Sequence, residues 1–247
     1  MFSLPVLTFH ALAATSHVVA WPEAAFDAMV LRLARRGRTP QGLDAIEACQ
    51  AGRSVAKGGY LVTFDDGYES VVAAHASCRR VGGRIVLFLA TSLPESNPIF
   101  PGETECPVQA AVTWSELREL VKDGAEVASH GHRHVDLRKL SDFEIEHELI
   151  NAKAALRDYL GVAPRAFAYP FGAVNARVRG IVGAHHALAF GTRLGAVTAE
   201  SDALDMPRLE AHYFRHLSTR GDLDGIAVQA YIGVRRVLRA VRGSFHG

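Results

Sequence analysis

At 247 residues, with 49% hydrophobic and 21% charged content, the chain has the make-up of a globular protein with a sizeable core, and one α/β domain spanning 1–247 is the expectation. A formal net charge of +1 excludes a general nucleic-acid binder, which needs a clear basic excess. The three cysteines, Cys49, Cys78 and Cys106, form no CxxC pair, which argues against a thiolate zinc site and a disulfide framework. The N-terminal stretch Met1–Pro5 carries no basic leader, and the apolar run after it is broken by His10 and His17. No segment reaches the ~18–20 apolar residues of a membrane-spanning helix. A cytoplasmic location is expected.

Taken in chain order, Val6–Phe9 reads as a first strand, followed by a helical pattern over about Glu23–Arg36. Tyr60–Phe64 is a strand ending in the acidic turn Asp65-Asp66-Gly67, then a helix over about Tyr68–Arg80 and the strand Ile85–Leu89. Pro94–Pro107 is a proline-rich loop. Thr113-Trp114-Ser115-Glu116 is a capping box opening a helix through Lys122, with Gly124 after it. Glu126–Ala128 is a short strand leading into a histidine cluster. A second capping box, Ser141–Glu144, opens a helix to about Leu160, stopped by Gly161. Ala166–Tyr169, Ala187–Phe190 and Leu209–Phe214 complete the strand-like runs. Strands alternating with helices imply a mostly parallel sheet, closed or open.

The polar clusters each fall just past a strand: His10, Asp65-Asp66, His130–His134 and Tyr169-Pro170-Phe171. In parallel α/β folds the carboxyl ends of the strands share one face, where active sites are built. Adjacent carboxylates at a strand end point in different directions, so one can bind a metal while the other faces a water. Asp residues are also common in solvated turns and helix caps, the plainer account of this pair. His130 and His134, at i and i+4, lie on one side if their loop takes a helical turn, and His132 points elsewhere. One carboxylate and two imidazoles make a three-donor site with open positions, suited to zinc or another divalent ion. Asp65, beside Asp66, is then placed to act as general base in amide or ester hydrolysis.

These segments resemble the motifs of the polysaccharide deacetylases, carbohydrate esterase family 4 with its NodB homology domain. Leu61–Gly67 resembles their TFDDG motif, Glu126–Leu137 their H-S/T-x-x-H motif, and Phe167–Gly172 their R-x-P-Y motif. The resemblance runs from about Pro5 to Phe214. It implies a distorted, incomplete (β/α) barrel, with Asp65 as catalytic base and one divalent ion, expected to be zinc, on Asp66, His130 and His134. It gives the backbone N–H of Phe171 an oxyanion role and counts Tyr169 with the substrate-facing residues. Val6–His10 looks like the N-terminal strand of the poly-N-acetylglucosamine deacetylase subgroup, in which an early histidine serves as catalytic acid; His10 is that residue here.

Three positions depart from the pattern: Gly131 replaces Ser or Thr, Val135 replaces Pro, and Ala168 stands where many members carry the arginine that orients the base. Asp65 then lacks its expected partner unless Arg208 or Arg193 supplies the charge. No match to the tryptophan-bearing fourth motif is found. The implied function is removal of N-acetyl groups from an N-acetylhexosamine-containing glycan or lipid-linked saccharide. The alternatives are a C–N hydrolase of a non-sugar amide and a catalytically silent glycan-binding protein that keeps the metal. Leu223–Arg242 reads as a basic amphipathic helix, packed on the barrel or lying on an anionic membrane at the inner surface. His185-His186 reads as structural.

Overall fold

The computed structural model describes residues 3–14, 17, 19–53, 58–94, 96, 110–214 and 233. Cys106, most of the Pro94–Pro107 loop and all but Gly233 of the 223–242 stretch lie outside them. The described strands are β1 (Val6–Phe9), β2 (Ala11–Leu12), β3 (Ala20–Trp21), β4 (Pro40–Gln41), β5 (Tyr60–Asp66), β6 (Val86–Leu89), β7 (Glu126–Ser129), β8 (Ala166–Ala168), β9 (Leu188–Leu194) and β10 (Met206–Glu210). The helices are α1 (Glu23–Ala34), α2 (Asp44–Gln50), α3 (Val71–Arg79), α4 (Trp114–Lys122), α5 (Asp142–Leu160), α6 (Ala176–His185) and α7 (Ala211–Phe214).

β1 pairs with β5 on one side and β10 on the other, while β6, β7, β8 and β9 complete a ring of parallel strands. The fold is therefore a (β/α) barrel, as expected, closed by seven strands. β4 adds a short pairing at the start of β5, and β2 and β3 form a separate two-stranded parallel piece. Alternation along the strands sorts the core into two layers. Val6, Leu61, Phe88, Ala128, Ala168 and Phe190 are among the buried residues of the barrel interior, with Leu43, Ile46 and Val197 in the same cluster. Leu7, Phe9, Val62, Phe64 and Leu87 belong to a second cluster with residues of α1, α3 and α4, where Phe26 packs edge-on against Phe9 at 5.1 Å.

Both capping boxes form, at Thr113/Glu116 and Ser141/Glu144, and Gly161 ends α5 in the left-handed region at φ 69°. Two readings need correction. The run Leu209–Phe214 is the end of β10 followed by the helical turn α7, and β10 begins earlier, at Met206. α2 and α6 are additional helices; α6 starts on Asn175, whose side chain accepts from the Val178 amide at 2.9 Å. Met206 faces Phe190 while Arg208 faces Leu194, so β9 bulges around Gly191–Arg193. That bulge matters to the site.

Candidate active site

The C-terminal ends of β1, β5, β7, β8 and β10 deliver the polar residues to one mouth of the barrel. β5 brings two acids. Asp65 is 2% exposed and lies in a two-pronged ion pair with Arg208, Nη1 to Oδ1 at 2.7 Å and Nη2 to Oδ2 at 2.8 Å. Arg208 is 1% exposed and also donates from Nε to the carbonyl of Gly191 at 3.0 Å, the group the β9 bulge turns toward it. Its guanidinium carbon stands 5.6 Å from the centre of the Phe88 ring. Burial alone raises the pKa of Asp65, but Arg208, with His130 and His10, outweighs it and holds the carboxyl below its ordinary range. Arg208 thus fills the role left open by Ala168, reaching in from β10; Arg193 does not, because it pairs with Asp205 outside.

Asp66 breaks the strand geometry. Its φ of 77° is left-handed, and Gly67 follows at φ 120°. A side chain at Gly67 would meet Leu89 Cδ1 at 2.5 Å, so glycine is needed there for space as well as conformation. Asp66 Oδ1 stands 3.4 Å from His130 Nε2 and 3.3 Å from His134 Nε2, and is buried without a well-formed hydrogen bond. One ligand atom from each of the three residues lies within 4.8 Å of the others. His130 Nδ1 donates to the Ala168 carbonyl at 2.7 Å, leaving the Nε2 lone pair aimed at the cluster. Burial, the largest influence, lowers the pKa of His134 to about 4, so this imidazole is neutral and ready to donate its lone pair. An orphaned carboxylate oxygen facing two imidazole nitrogens fits a small divalent ion. The burial that would penalise a bare Asp66 charge is outweighed by the neighbouring histidines, which lower its pKa.

The loop after β7 is irregular, with Gly131 at φ 80° and His134 at φ 55°, so the two rings meet by a bend and not through the helical turn expected from their spacing. They lie 4.9 Å apart between centres. His132 is outside the cluster, hydrogen-bonded to Thr91 Oγ1 at 2.9 Å. Phe171, at φ 59°, places its ring edge-on to His134 at 4.6 Å and is 55% exposed. Its amide stays out of the bonds that close the turn, which run from Gly172 to Tyr169 and from Ala173 to Pro170. Among the described residues, Asp66, His134 and Phe171 are the three non-glycine residues with left-handed backbone, and all three are here.

His10 is half-buried at the end of β1. Desolvation lowers its pKa, but Asp66, Glu210 and Asp65 together raise it above the ordinary histidine value. Tyr169 requires correction as a substrate-facing residue: it is fully buried on the outer side of the barrel and donates its hydroxyl to the Leu204 carbonyl at 2.8 Å. His185 pairs with Glu146, and His186 packs against Phe167, both away from the site. Glu148 was not foreseen. It is 2% exposed on the buried face of α5 and accepts backbone N–H groups from the histidine loop. Its one sequence signal is an acid in phase with the apolar positions Ile145, Leu149 and Ala152.

Residues 52–188 match the sequence model of the polysaccharide deacetylase family. The chain belongs to that family. Polysaccharide deacetylases hydrolyse C–N amide bonds, which makes this protein a hydrolase of that type. None of the curated proteins matches the sequence. Solved structures share the fold: the deacetylase PplD of Streptococcus pyogenes in complex with acetate is 21% identical, with a TM-score of 0.74 over 85% of this chain and 92% of that one. IcaB from Ammonifex degensii is 20% identical, with a TM-score of 0.76 over 89% and 97%. The BpsB deacetylase domain from Bordetella bronchiseptica is 18% identical, with a TM-score of 0.67 over 84% and 95%.

Proposed function

We propose that this deacetylase removes N-acetyl groups from an N-acetylhexosamine-containing glycan or lipid-linked saccharide in a metal-dependent reaction. The observation that carries the reading is the buried Asp66–His130–His134 cluster beside an Asp65 gripped by Arg208. Asp66, His130 and His134 would hold one divalent ion, and zinc is among the metals such a donor set takes with positions to spare. When bound, the ion polarises an acyl oxygen and makes water a better acid.

The chain supplies the proton transfers and the orientation. Asp65, ionised and aimed by Arg208, takes the proton of the water that adds to the acetyl carbon. The amide of Phe171 is the donor for the negative charge that develops on the acetyl oxygen. His10, with its raised pKa, keeps a proton to a higher pH than an ordinary histidine and passes it to the sugar nitrogen as the C–N bond breaks. The products are acetate and a free amino sugar. The resemblance of Val6–His10 to the poly-N-acetylglucosamine deacetylase strand supports an N-acetylglucosamine substrate.

The test is acetate release from N-acetylglucosamine oligomers, with and without added zinc, for wild type and Asp65→Asn. Zinc-dependent release that disappears in the variant is the expected result. No release from any oligomer by zinc-loaded wild type removes N-acetylglucosamine oligomers as the substrate.

A further inference from the structure

We infer that Glu148 is a positioning residue of the metal centre, fixing the loop between the two histidine ligands through that loop's backbone. The inference rests on the metal-site reading above and concerns a residue that touches neither ion nor substrate. α5 packs Ile145, Leu149, Ala152 and Leu156 inward, and Glu148 shares their face at 2% exposure. A carboxylate in that setting is costly unless its oxygens are bound. Both are. Oε2 accepts the amides of His132 at 3.1 Å and Arg133 at 2.9 Å, and Oε1 accepts from Nε of Arg133.

The rest of the loop is held by other elements. The Gly131 amide donates to Ser129 Oγ at 3.3 Å, and the carbonyls of Gly131 and His132 accept from the amides of Thr91 at 3.2 Å and Ser92 at 2.9 Å. The loop is thus gripped from β7, from the segment after β6, and from α5. Glu148 is the α5 grip and the carboxylate among the three. It acts on the two residues that directly precede His134, whose left-handed φ of 55° persists only where its surroundings enforce it. With Glu148 gone, the His132 and Arg133 amides lose their acceptor and the backbone can relax toward an unstrained φ. His134 Nε2 then leaves Asp66 Oδ1, and the donor set opens. A glutamate that merely stabilised α5 against the barrel would leave the donor set intact, so the two roles differ in metal affinity.

The experiment is titration of the metal-free full chain with zinc by calorimetry and with cobalt(II) by visible absorption. Wild type is compared with Glu148→Gln, Glu148→Ala and Leu156→Ala, a buried α5 position away from the loop. The expected result is a zinc affinity ~10- to 100-fold weaker in Glu148→Ala, with an altered cobalt spectrum, as for loss of other outer-sphere partners, and a smaller loss in Glu148→Gln, whose amide oxygen can still accept the two backbone amides. Leu156→Ala is expected to lower the melting temperature while binding zinc as wild type does. Glu148→Ala, folded by its cooperative melt, binding zinc with wild-type affinity and an unchanged cobalt spectrum overturns the inference. Zinc binding absent from wild type itself overturns the metal-site reading and the inference with it. No outcome depends on deacetylase activity, so a wrong glycan assignment leaves the test intact.

Discussion

Arg208 occupies a position that a lone cation could not hold: 1% exposed, inside a barrel, with one carboxylate to compensate it. Breaking such a buried pair from one side is destabilising by about 3–5 kcal/mol, because the partner charge stays behind uncompensated. The same loss reaches the chemistry. Burial is the largest influence on Asp65 and raises its pKa; Arg208 heads the group that reverses it. In Arg208→Met the burial influence prevails, and Asp65 accepts its proton from solvent at higher pH. The acid limb of the kcat/KM profile is therefore expected to move upward in pH, with an activity loss at neutral pH. Arg208→Lys keeps the charge but not the fork and should fall between the two. A profile whose acid limb stays in place in Arg208→Met would show that Asp65 does not titrate in the rate-determining step.

At the scale of the element, what could be read in the sequence was what local chemistry decides. Thr113/Glu116 and Ser141/Glu144 each carry their own cap, and the structure forms both. Ser141→Ala is expected to cost about 1 kcal/mol, lowering the melting temperature by ~2–4 °C at this size, with zinc affinity unchanged because Glu148 keeps its bonds. A matching loss of zinc affinity would mean that the cap and the loop are coupled. The apolar strands from Val6 to Phe167 were equally legible, since burial on both faces leaves continuous hydrophobic runs. Elements fixed by distant partners were not. Pro207 hides the start of β10, and the aromatic pair Tyr213-Phe214 mimics a strand where α7 turns away. α6 carries Gly180 and Gly183, poor helix formers, the latter lying where the end of the Leu204 side chain comes within 2.6 Å of a would-be Cβ.

The candidate site divides the same way. Asp65, Asp66, His130 and His134 announce themselves by spacing, and the structure brings them together with His10. Arg208 could be named as a substitute cation but not chosen over Arg193, because only the β9 bulge and the closed ring turn one inward and leave the other outside. Tyr169 turns to the outer side of the barrel, a question of strand parity that the turn at Pro170 conceals.

For the whole molecule, a metal that binds only the folded barrel stabilises it by mass action. Zinc at about a hundredfold over its dissociation constant contributes ~2.7 kcal/mol. On the proposed metal site, wild type is expected to melt several degrees lower with a chelator than with zinc, and Asp66→Asn to melt alike in both. A zinc-dependent rise that survives in Asp66→Asn would place the stabilising ion somewhere other than the His130–His134 cluster.

β1, the first strand of the ring, finds its second neighbour in the last, β10, with Leu7 beside Leu209. While the polypeptide is still being synthesised, β1 can dock on β5 but its other edge stays unpaired until residues near 210 have left the ribosome. His10, the proposed proton donor, is made before the other residues of the candidate site, and Arg208, the partner of Asp65, after them. A nascent chain halted before Arg208 therefore carries Asp66, His130 and His134 yet leaves Asp65 without its ion-pair partner. Its open β1 edge is a surface on which another chain could pair, so the interval before closure is when aggregation threatens this protein most.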